Sequence, residues 1–578
     1  MKLPGKQETK MASKTVDGIL YAKMVRMGAA NLGIHAEEIN NLNVFPIPDG
    51  DTGDNMLMTI TGGKNAVKED IKNLSDAANT ISSGMLLSAR GNSGVILSQF
   101  FDGISAGLTL IAEADVKQFG GAFKEGVKHA YEAVMTPVEG TILTVAKDAT
   151  EYACSNEAET ILQFIENFIY EAKLSLERTP TLLPVLKKAG VVDSGGAGLI
   201  YIMEGMRQCL KEDSYDEAIA KLESESGRQN AAKTISTPHG EMDLDAFGPD
   251  SKLEFGYCTE VLLRLQNKKV NVEEFPVETI KNYMNEIGNS VVCFKTGSII
   301  KLHVHTMEPW KVFKFCQQYG EFLTTKVENM SLQHNNRNED ISEITAKFKM
   351  TSSQEVEAKK FGTVAVATGP GIKQMFLDVN ADVIVDGGQS MNPSAEDFIN
   401  AFSKINAQTI FVFPNNGNVI LAAKQAAKMY ERAKIVVVES KSIGEGFAAL
   451  SMMDLDSGNL DEILENFKMS MEGVSSYYIS HCVRDSEMDG LKLKAGDYIG
   501  FQDKKIMVDS NDRKKAAFQT VEAMDFTDHE VCIFIRGIDS TAYEAEEVKK
   551  YLKLKHPGIE INEVEGGQDI YSYIFVVL

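Results

Sequence analysis

Three carboxylates fall within six residues in Asn43-Val44-Phe45-Pro46-Ile47-Pro48-Asp49-Gly50-Asp51-Thr52-Gly53-Asp54-Asn55-Met56. The prolines favour an extended approach and the glycines open a turn, after which an amphipathic helix is expected to begin. Mg²⁺ takes near-octahedral oxygen ligands and commonly joins one or two carboxylates to substrate phosphates. Asp49 and Asp51, two apart on a turn, can point to one side of the loop, and Asn43 can add an amide oxygen. Asp54 and Asn55 stand where the helix would begin, close to incoming phosphates. The plainer alternative is an acidic turn with Asp54 as a helix N-cap, and the loop taken alone favours it.

Three further stretches share this character. Arg90-Gly91-Asn92-Ser93-Gly94 precedes an apolar helix over 95–108, Glu139-Gly140-Thr141 opens another, and Val191-Val192-Asp193-Ser194-Gly195-Gly196-Ala197-Gly198 opens a third. Small residues at a helix start let backbone N–H groups and hydroxyls approach an anion, and the helix dipole favours negative charge there. Each alone reads as a capped helix; together they point to a phosphate site, with Asp193 placed to accept from ribose or adenine. The common nucleotide and calcium loops are excluded. There is no Gly-x4-Gly-Lys-Ser/Thr and no Gly-x-Gly-x-x-Gly after a strand, and an EF-hand register starting at Asp49 puts Asp54 where glycine is required.

The elements that must position these residues follow from periodicity. Residues 14–212 are helical in pattern, with breaks for about eight helices and no strand signal, so an all-α domain is expected. A polar linker over 213–253, with one helix near 216–222, precedes a β-α-β-β-α-β pattern over 254–335, the ferredoxin-like order. A second linker, 336–361, leads to strands alternating with helices over 362–578, a parallel α/β sheet that loosens into antiparallel strands, read as one two-lobed unit.

At 578 residues several domains are needed, and 43% hydrophobic with 24% charged residues is a globular composition. A net charge of -23 argues against general binding to nucleic acid or anionic membranes. The polar N-terminal segment lacks an apolar signal core, and the most apolar stretch, 94–114, contains Gln99 and Asp102, so neither a secretory signal nor a membrane span is expected. Seven scattered cysteines without a CxxC pattern suit reduced thiols in a cytoplasm.

Asp49-Gly50-Asp51-Thr52-Gly53, Gly91-Asn92-Ser93-Gly94, Gly140-Thr141 and Asp193-Ser194-Gly195-Gly196-Ala197-Gly198, in this order, resemble the DhaL-type ATP-binding domain of dihydroxyacetone kinases. Gly256-Tyr257-Cys258-Thr259-Glu260, His303-Val304-His305-Thr306, Glu328-Asn329-Met330, Gly387-Gly388-Gln389-Ser390-Met391-Asn392-Pro393-Ser394 and Pro414-Asn415-Asn416-Gly417-Asn418 extend the resemblance to the bacterial fatty acid kinase A, or YloV-like, family over nearly the whole chain. The resemblance implies an eight-helix barrel holding ATP and two Mg²⁺, a DegV-like C-terminal domain, and a homodimer. It implies phosphorylation of a fatty acid carried by a separate DegV-type protein, giving acyl phosphate for phospholipid synthesis. Asp49, Asp51 and Asn43 are then expected at the metal, with Asn55, Gly91, Asn92, Ser93, Gly94 and Thr141 at the phosphates, Asp193 at the nucleotide, and Arg90 as a charge stabiliser or, equally, a surface ion pair. Where the family pattern has Thr or Ser this chain has Asp54, an added carboxylate beside the expected phosphates. A dihydroxyacetone-type metabolite kinase and a non-catalytic lipid-sensing scaffold are the rivals.

A second constellation lies in the middle region. His303 and His305 alternate along one strand and so share a face, and Cys258 lies on a strand the topology brings close. Cys and two His suit Zn²⁺, with Glu260 or water as the fourth ligand; two exposed histidines beside a buried thiol are the alternative. In the C-terminal unit, Gln389, Ser390 and Asn392 follow a strand at the carboxyl edge of the sheet and could hold a carboxylate, build the fold, or dock the carrier.

Overall fold

The structure is a computed structural model that describes residues 13–42, 47, 50–68, 70–211, 219, 222, 234–237, 240–243, 257–272, 275–296, 298–329, 359–388, 392–453, 459–527 and 529–578. Its first part is helical, as the periodicity predicts. α1 (Gly18–Asn40), α2 (Thr52–Ala66), α3 (Leu74–Ser88), α4 (Gly91–Gly107), α5 (Val116–Glu132), α6 (Ile142–Ser155), α7 (Ile161–Leu182), the short α8 (Pro184–Ala189) and α9 (Ser194–Lys211) surround one apolar core. Phe100, Phe119, Phe123, Phe164 and Phe168 meet edge to face within it, the arrangement the ring quadrupole prefers.

The all-α expectation needs one correction. β1 (Thr15–Asp17) pairs antiparallel with β2 (Glu113–Asp115). The last residue of each strand caps the helix that follows, Asp17 for α1 and Asp115 for α5, so the ribbon sets two helix entries side by side. Three-residue strands are too short to leave an alternating pattern. The first linker likewise contains a hairpin, β3 (Thr234–Thr237) against β4 (Gly240–Asp243).

Residues 227–355 form one compact unit, and 1–226 with 356–578 form another. In the former, β5 (Tyr257–Leu265), β6 (Asn289–Thr296), β7 (Ile299–Thr306) and β8 (Gly320–Asn329) lie in the order β6-β7-β5-β8, every neighbour antiparallel. The helices Glu278–Ile287 and Pro309–Cys316 fall between strands in sequence, and their Ile280, Met284 and Val312 share a core with Val261, Leu263, Leu302 and Val304.

In the other unit, β9 (Lys359–Ala367), β10 (Val383–Asp386), β11 (Ala407–Phe413) and β12 (Lys434–Val437) make the expected parallel sheet in the order β10-β9-β11-β12. A helix follows each strand: Pro370–Asp378, Ala395–Ser403, Ile420–Met429 and Ile443–Ser451. A six-stranded sheet stands beside it, its strands in spatial order Lys505–Ser510, Tyr498–Gln502, Ser475–His481, Tyr573–Val577, Val531–Arg536 and Glu560–Glu565. The last of these escapes sequence reading because it is a charged edge strand, carrying Glu560, Glu563 and Glu565, and buries almost nothing.

Candidate active site

α2 begins at Thr52, three residues earlier than a cap at Asp54 would place it. Asp51 occupies the N-cap position, yet its carboxylate makes no capping bond. The capping duty has passed to α1: Asn40 Oδ1 accepts from the Gly53 N–H at 2.7 Å, while Asn40 Nδ2 donates to Asp54 Oδ2 at 2.9 Å. The plain reading of the loop as a self-capping acidic turn therefore fails, because neither Asp51 nor Asp54 caps α2. Asn40 was missed by sequence reasoning, since a lone Asn ending a helix looks like any other. Asn43 and Asp49 lie outside the described residues.

The other predicted helix starts gather around this one. Asn55, buried in the first turn of α2, lies against Gly91 at the start of α4, so that a Cβ on Gly91 would fall 2.5 Å from Asn55 Nδ2. Gly91 has φ +58°, a conformation only glycine adopts at little cost. Thr59, one turn further along α2, donates to the Asn55 carbonyl at 2.6 Å and accepts from the Arg90 N–H at 3.4 Å. Gly94 presses on the same threonine: a Cβ there would fall 2.4 Å from Thr59 Oγ1. Asn92 and Ser93 are partly exposed on the first turn of α4. On the other side of α2, Ser194 at the start of α9 donates to Thr52 Oγ1 at 3.2 Å. The N-termini of α2, α4, α6 and α9 thus meet, the last two through Asp193.

Asp193 Oδ2 accepts from the Gly196 N–H at 2.7 Å, and its carboxylate also accepts from Ile142, the first residue of α6. It ties two helix starts together. Thr141 does similar work, capping α6 through Leu143 N–H and donating to the Val138 carbonyl at 2.8 Å. Burial pushes the Asp193 carboxyl up to about 6, against the two N–H donors that favour its charged form. A carboxyl raised above its unfolded value adds stability at low pH that is lost as pH rises through the folded value. Asp193→Asn, which cannot ionise, is therefore expected to gain stability relative to the parent between pH 5 and pH 7. Urea midpoints at the two pH values check this; a parent that gains relative to the variant contradicts it.

Arg90 Nη1 donates to the Asn392 carbonyl at 2.8 Å and Nη2 lies 3.5 Å from Asp397 Oδ2. Residues 89–99 seat the helical region on the parallel sheet. Ala89 and Val95 are buried in one cluster with Val366, Val385 and Phe398, and Gln425 bonds both Gln99 Nε2, at 3.3 Å, and the Leu86 carbonyl. Asn92 Nδ2 donates to Asn418 Oδ1 at 3.2 Å. Gln389 and Ser390 lie outside the described residues; Asn392 is buried against α2 and α4.

In the middle unit the strand register sets Cys258 opposite His305 and Glu260 opposite His303. Val261 and Leu263 on β5, and Leu302 and Val304 on β7, are buried in the core of this unit. The side chains of Cys258, Glu260, His303 and His305 lie outside what is described.

Asp51, Asp54, Asn40 and Asn55 offer only hard oxygen ligands and amide donors, a set that fits Mg²⁺ and phosphate and has no soft ligand for a transition metal. The model of the DAK2 domain, a kinase-family domain, matches residues 46–208. The FakA-like (fatty acid kinase A-like) middle-domain model matches 254–337 and the FakA-like C-terminal model 362–577. An uncharacterized protein of Staphylococcus saprophyticus is 36% identical over 570 residues, covering 98% of this chain and 100% of its own. One from Staphylococcus aureus strain MRSA252 is 37% identical over 571 residues, with the same coverage. The chain belongs to the FakA-like family of fatty acid kinases. Among solved structures, it is similar to the dihydroxyacetone kinase of C. freundii in complex with AMP-PNP and Mg²⁺ (18% identity, TM-score 0.27, 36% of this chain and 37% of that one). It is also similar to DegV, a fatty acid binding protein from Bacillus subtilis (13% identity, TM-score 0.30, 38% of this chain and 100% of that one).

Proposed function

We propose that this chain is an ATP- and Mg²⁺-dependent kinase that phosphorylates the carboxylate of a fatty acid presented by a separate DegV-type binding protein, releasing acyl phosphate for phospholipid synthesis. The observation that carries this reading is the meeting of the α2, α4, α6 and α9 N-termini beside Asp51, which stands at the N-cap position of α2 without a side-chain capping bond to it. Helix starts attract phosphate, and a carboxylate among them calls for a cation. In the proposal Asp51, with Asp49 and Asn43, holds two Mg²⁺; Asn55, Asn92, Ser93 and the N–H groups opened by Gly91 and Gly94 meet the phosphates. Thr141 and Asp193 act by fixing the helix starts they cap.

Bound Mg²⁺ supplies charge neutralisation at the phosphates. The chain's own contribution is alignment of two repelling anions by preorganised donors. A carboxylate oxygen of the acceptor attacks the γ-phosphorus, the bond to the oxygen bridging to the β-phosphate breaks, and ADP leaves. The fatty acid is already ionised at neutral pH, so no proton moves and no strong general base is required.

The proposal includes an eight-helix barrel for the first domain and a ferredoxin-like middle domain, supported by the β6-β7-β5-β8 order. It includes a cytoplasmic homodimer on the family's pattern; among the described residues no helix is long and apolar enough to cross a membrane. It also includes Zn²⁺ held by Cys258, His303 and His305, supported by the strand register that sets Cys258 opposite His305. Elemental analysis of protein purified without chelator is expected to show roughly one zinc per chain; metal-free protein of unchanged fold contradicts it.

The test combines purified protein, ATP, Mg²⁺ and oleate, with and without a DegV-type carrier, and traps acyl phosphate with hydroxylamine. Carrier-dependent product is expected. Turnover of dihydroxyacetone without carrier would establish the metabolite-kinase rival, and nucleotide binding without turnover of either acceptor would establish the sensing scaffold.

A further inference from the structure

Asp51 is held from across the molecule. Its Oδ2 accepts a hydrogen bond from Asn392 Nδ2 at 2.5 Å, and Asn392 lies on the loop between β10 and the helix Ala395–Ser403 of the parallel sheet. Asn392 is 1% exposed, and Nδ2 also lies 3.3 Å from where a Cβ on Gly91 would stand. Its Oδ1 is buried with no hydrogen-bond partner among the described residues. The loop that carries it is clamped to the other wall of the site. Ser394 forms an antiparallel bridge with Arg90, Ala395 N–H donates to the Ala89 carbonyl at 3.3 Å, and Arg90 Nη1 donates to the Asn392 carbonyl. A capping box between Ser394 and Asp397 stiffens the same turn, and Asp397 pairs with Arg90. Residues 392–395 are thus bolted to the start of α4 and reach with a single amide to the carboxylate at the start of α2.

We infer that Asn392 is a positioning residue for Asp51, which makes the C-terminal half a structural part of the divalent-cation site. By donating to one carboxylate oxygen, the amide fixes the rotamer and directs the other oxygen toward the cation, as outer-shell partners of metal ligands do. A buried amide with one satisfied and one orphaned end is a poor choice for packing alone, where both ends need partners. The inference rests on the reading of Asp51 as a cation ligand.

The test uses the full-length protein and reads Mn²⁺ retained with the protein on ultrafiltration, against a protein-free control, at a fixed concentration of a non-hydrolysable ATP analogue. Asn392→Ala is expected to weaken Mn²⁺ binding ~10- to 100-fold. Asn392→Leu, near in shape and lacking a donor, is expected to do the same, and serves where the alanine variant does not fold. Gln425→Ala removes the hydrogen bond to the Leu86 carbonyl without touching Asp51, so it is expected to lower the melting temperature and leave Mn²⁺ affinity unchanged. Asp51→Asn separates the two claims. If it abolishes binding while both Asn392 variants bind normally, the positioning role is overturned and the cation reading stands. If Asp51→Asn binds Mn²⁺ normally, both fall. An equal loss of affinity in Gln425→Ala would reduce Asn392 to an interface residue and overturn the inference.

Discussion

Asp51→Asn is expected to lower acyl phosphate formation about 100- to 1000-fold, the range seen when one preorganised group facing developing charge is removed. The substitution preserves shape and removes only the charge. Because the Asp51 side chain makes no capping bond, α2 does not depend on it for its start; Asn40 supplies that. Circular dichroism and the thermal midpoint of the variant should therefore match the parent, so that lost turnover reports on chemistry. A ten-fold or smaller loss with intact folding would take Asp51 out of the metal site. Excess Mg²⁺ is expected to restore part of the rate, since a weakened ligand set still binds at higher metal concentration.

Gly53→Ala is expected to destabilise the helical region by about 3 kcal/mol or more, the upper range for overpacking. A Cβ on Gly53 would fall 2.2 Å from the Ala36 carbonyl oxygen and 2.9 Å from the Ala36 Cα and carbonyl carbon, all backbone atoms of α1 that cannot rotate away. The glycine of the acidic motif is thus a packing glycine: it lets α2 lie close enough for Asn40 to reach its first turn. Forcing the helices apart breaks that cap and moves Asp51 and Asn55 together, so nucleotide binding should fall with stability. Gly121→Ala supplies the contrast. No atom lies within 4 Å of a Cβ there, and the residue sits inside α5, so the change should add up to about 1 kcal/mol through helix propensity. Urea unfolding of both variants checks the pair; equal midpoints would refute the close-contact argument.

Much of the scaffold was legible because its signals are local. The helices from α1 to α9 repeat apolar residues at helical spacing, and the parallel strands β9 to β12 are short apolar runs each followed by a helix. The convergence of helix starts was legible only as a coincidence of composition: glycine, hydroxyl and carboxylate at several openings. That they meet depends on tertiary contacts such as Ser194 to Thr52, which no spacing encodes. Roles within the site were less readable. Asp54 looked like a cap, whereas Asn40 on another helix does the capping and holds Asp54 as well. The pairing of Arg90 with Asp397, some three hundred positions away in sequence, was equally unreadable. The short strands β1 and β2 and the acidic strand Glu560–Glu565 were invisible for a different reason: strands that bury little leave no period of two.

The central claim is that the phosphates and their cation sit where α2 and α4 begin. The most direct measurement is a crystal structure of the full-length protein with a non-hydrolysable ATP analogue and Mg²⁺. Mg²⁺ is expected within oxygen-ligand distance, roughly 2.1 Å, of an Asp51 carboxylate oxygen. The terminal phosphate is expected against Asn55 and the first turn of α4. A nucleotide bound at any other place on the chain, or a metal that leaves Asp51 untouched, would contradict the claim.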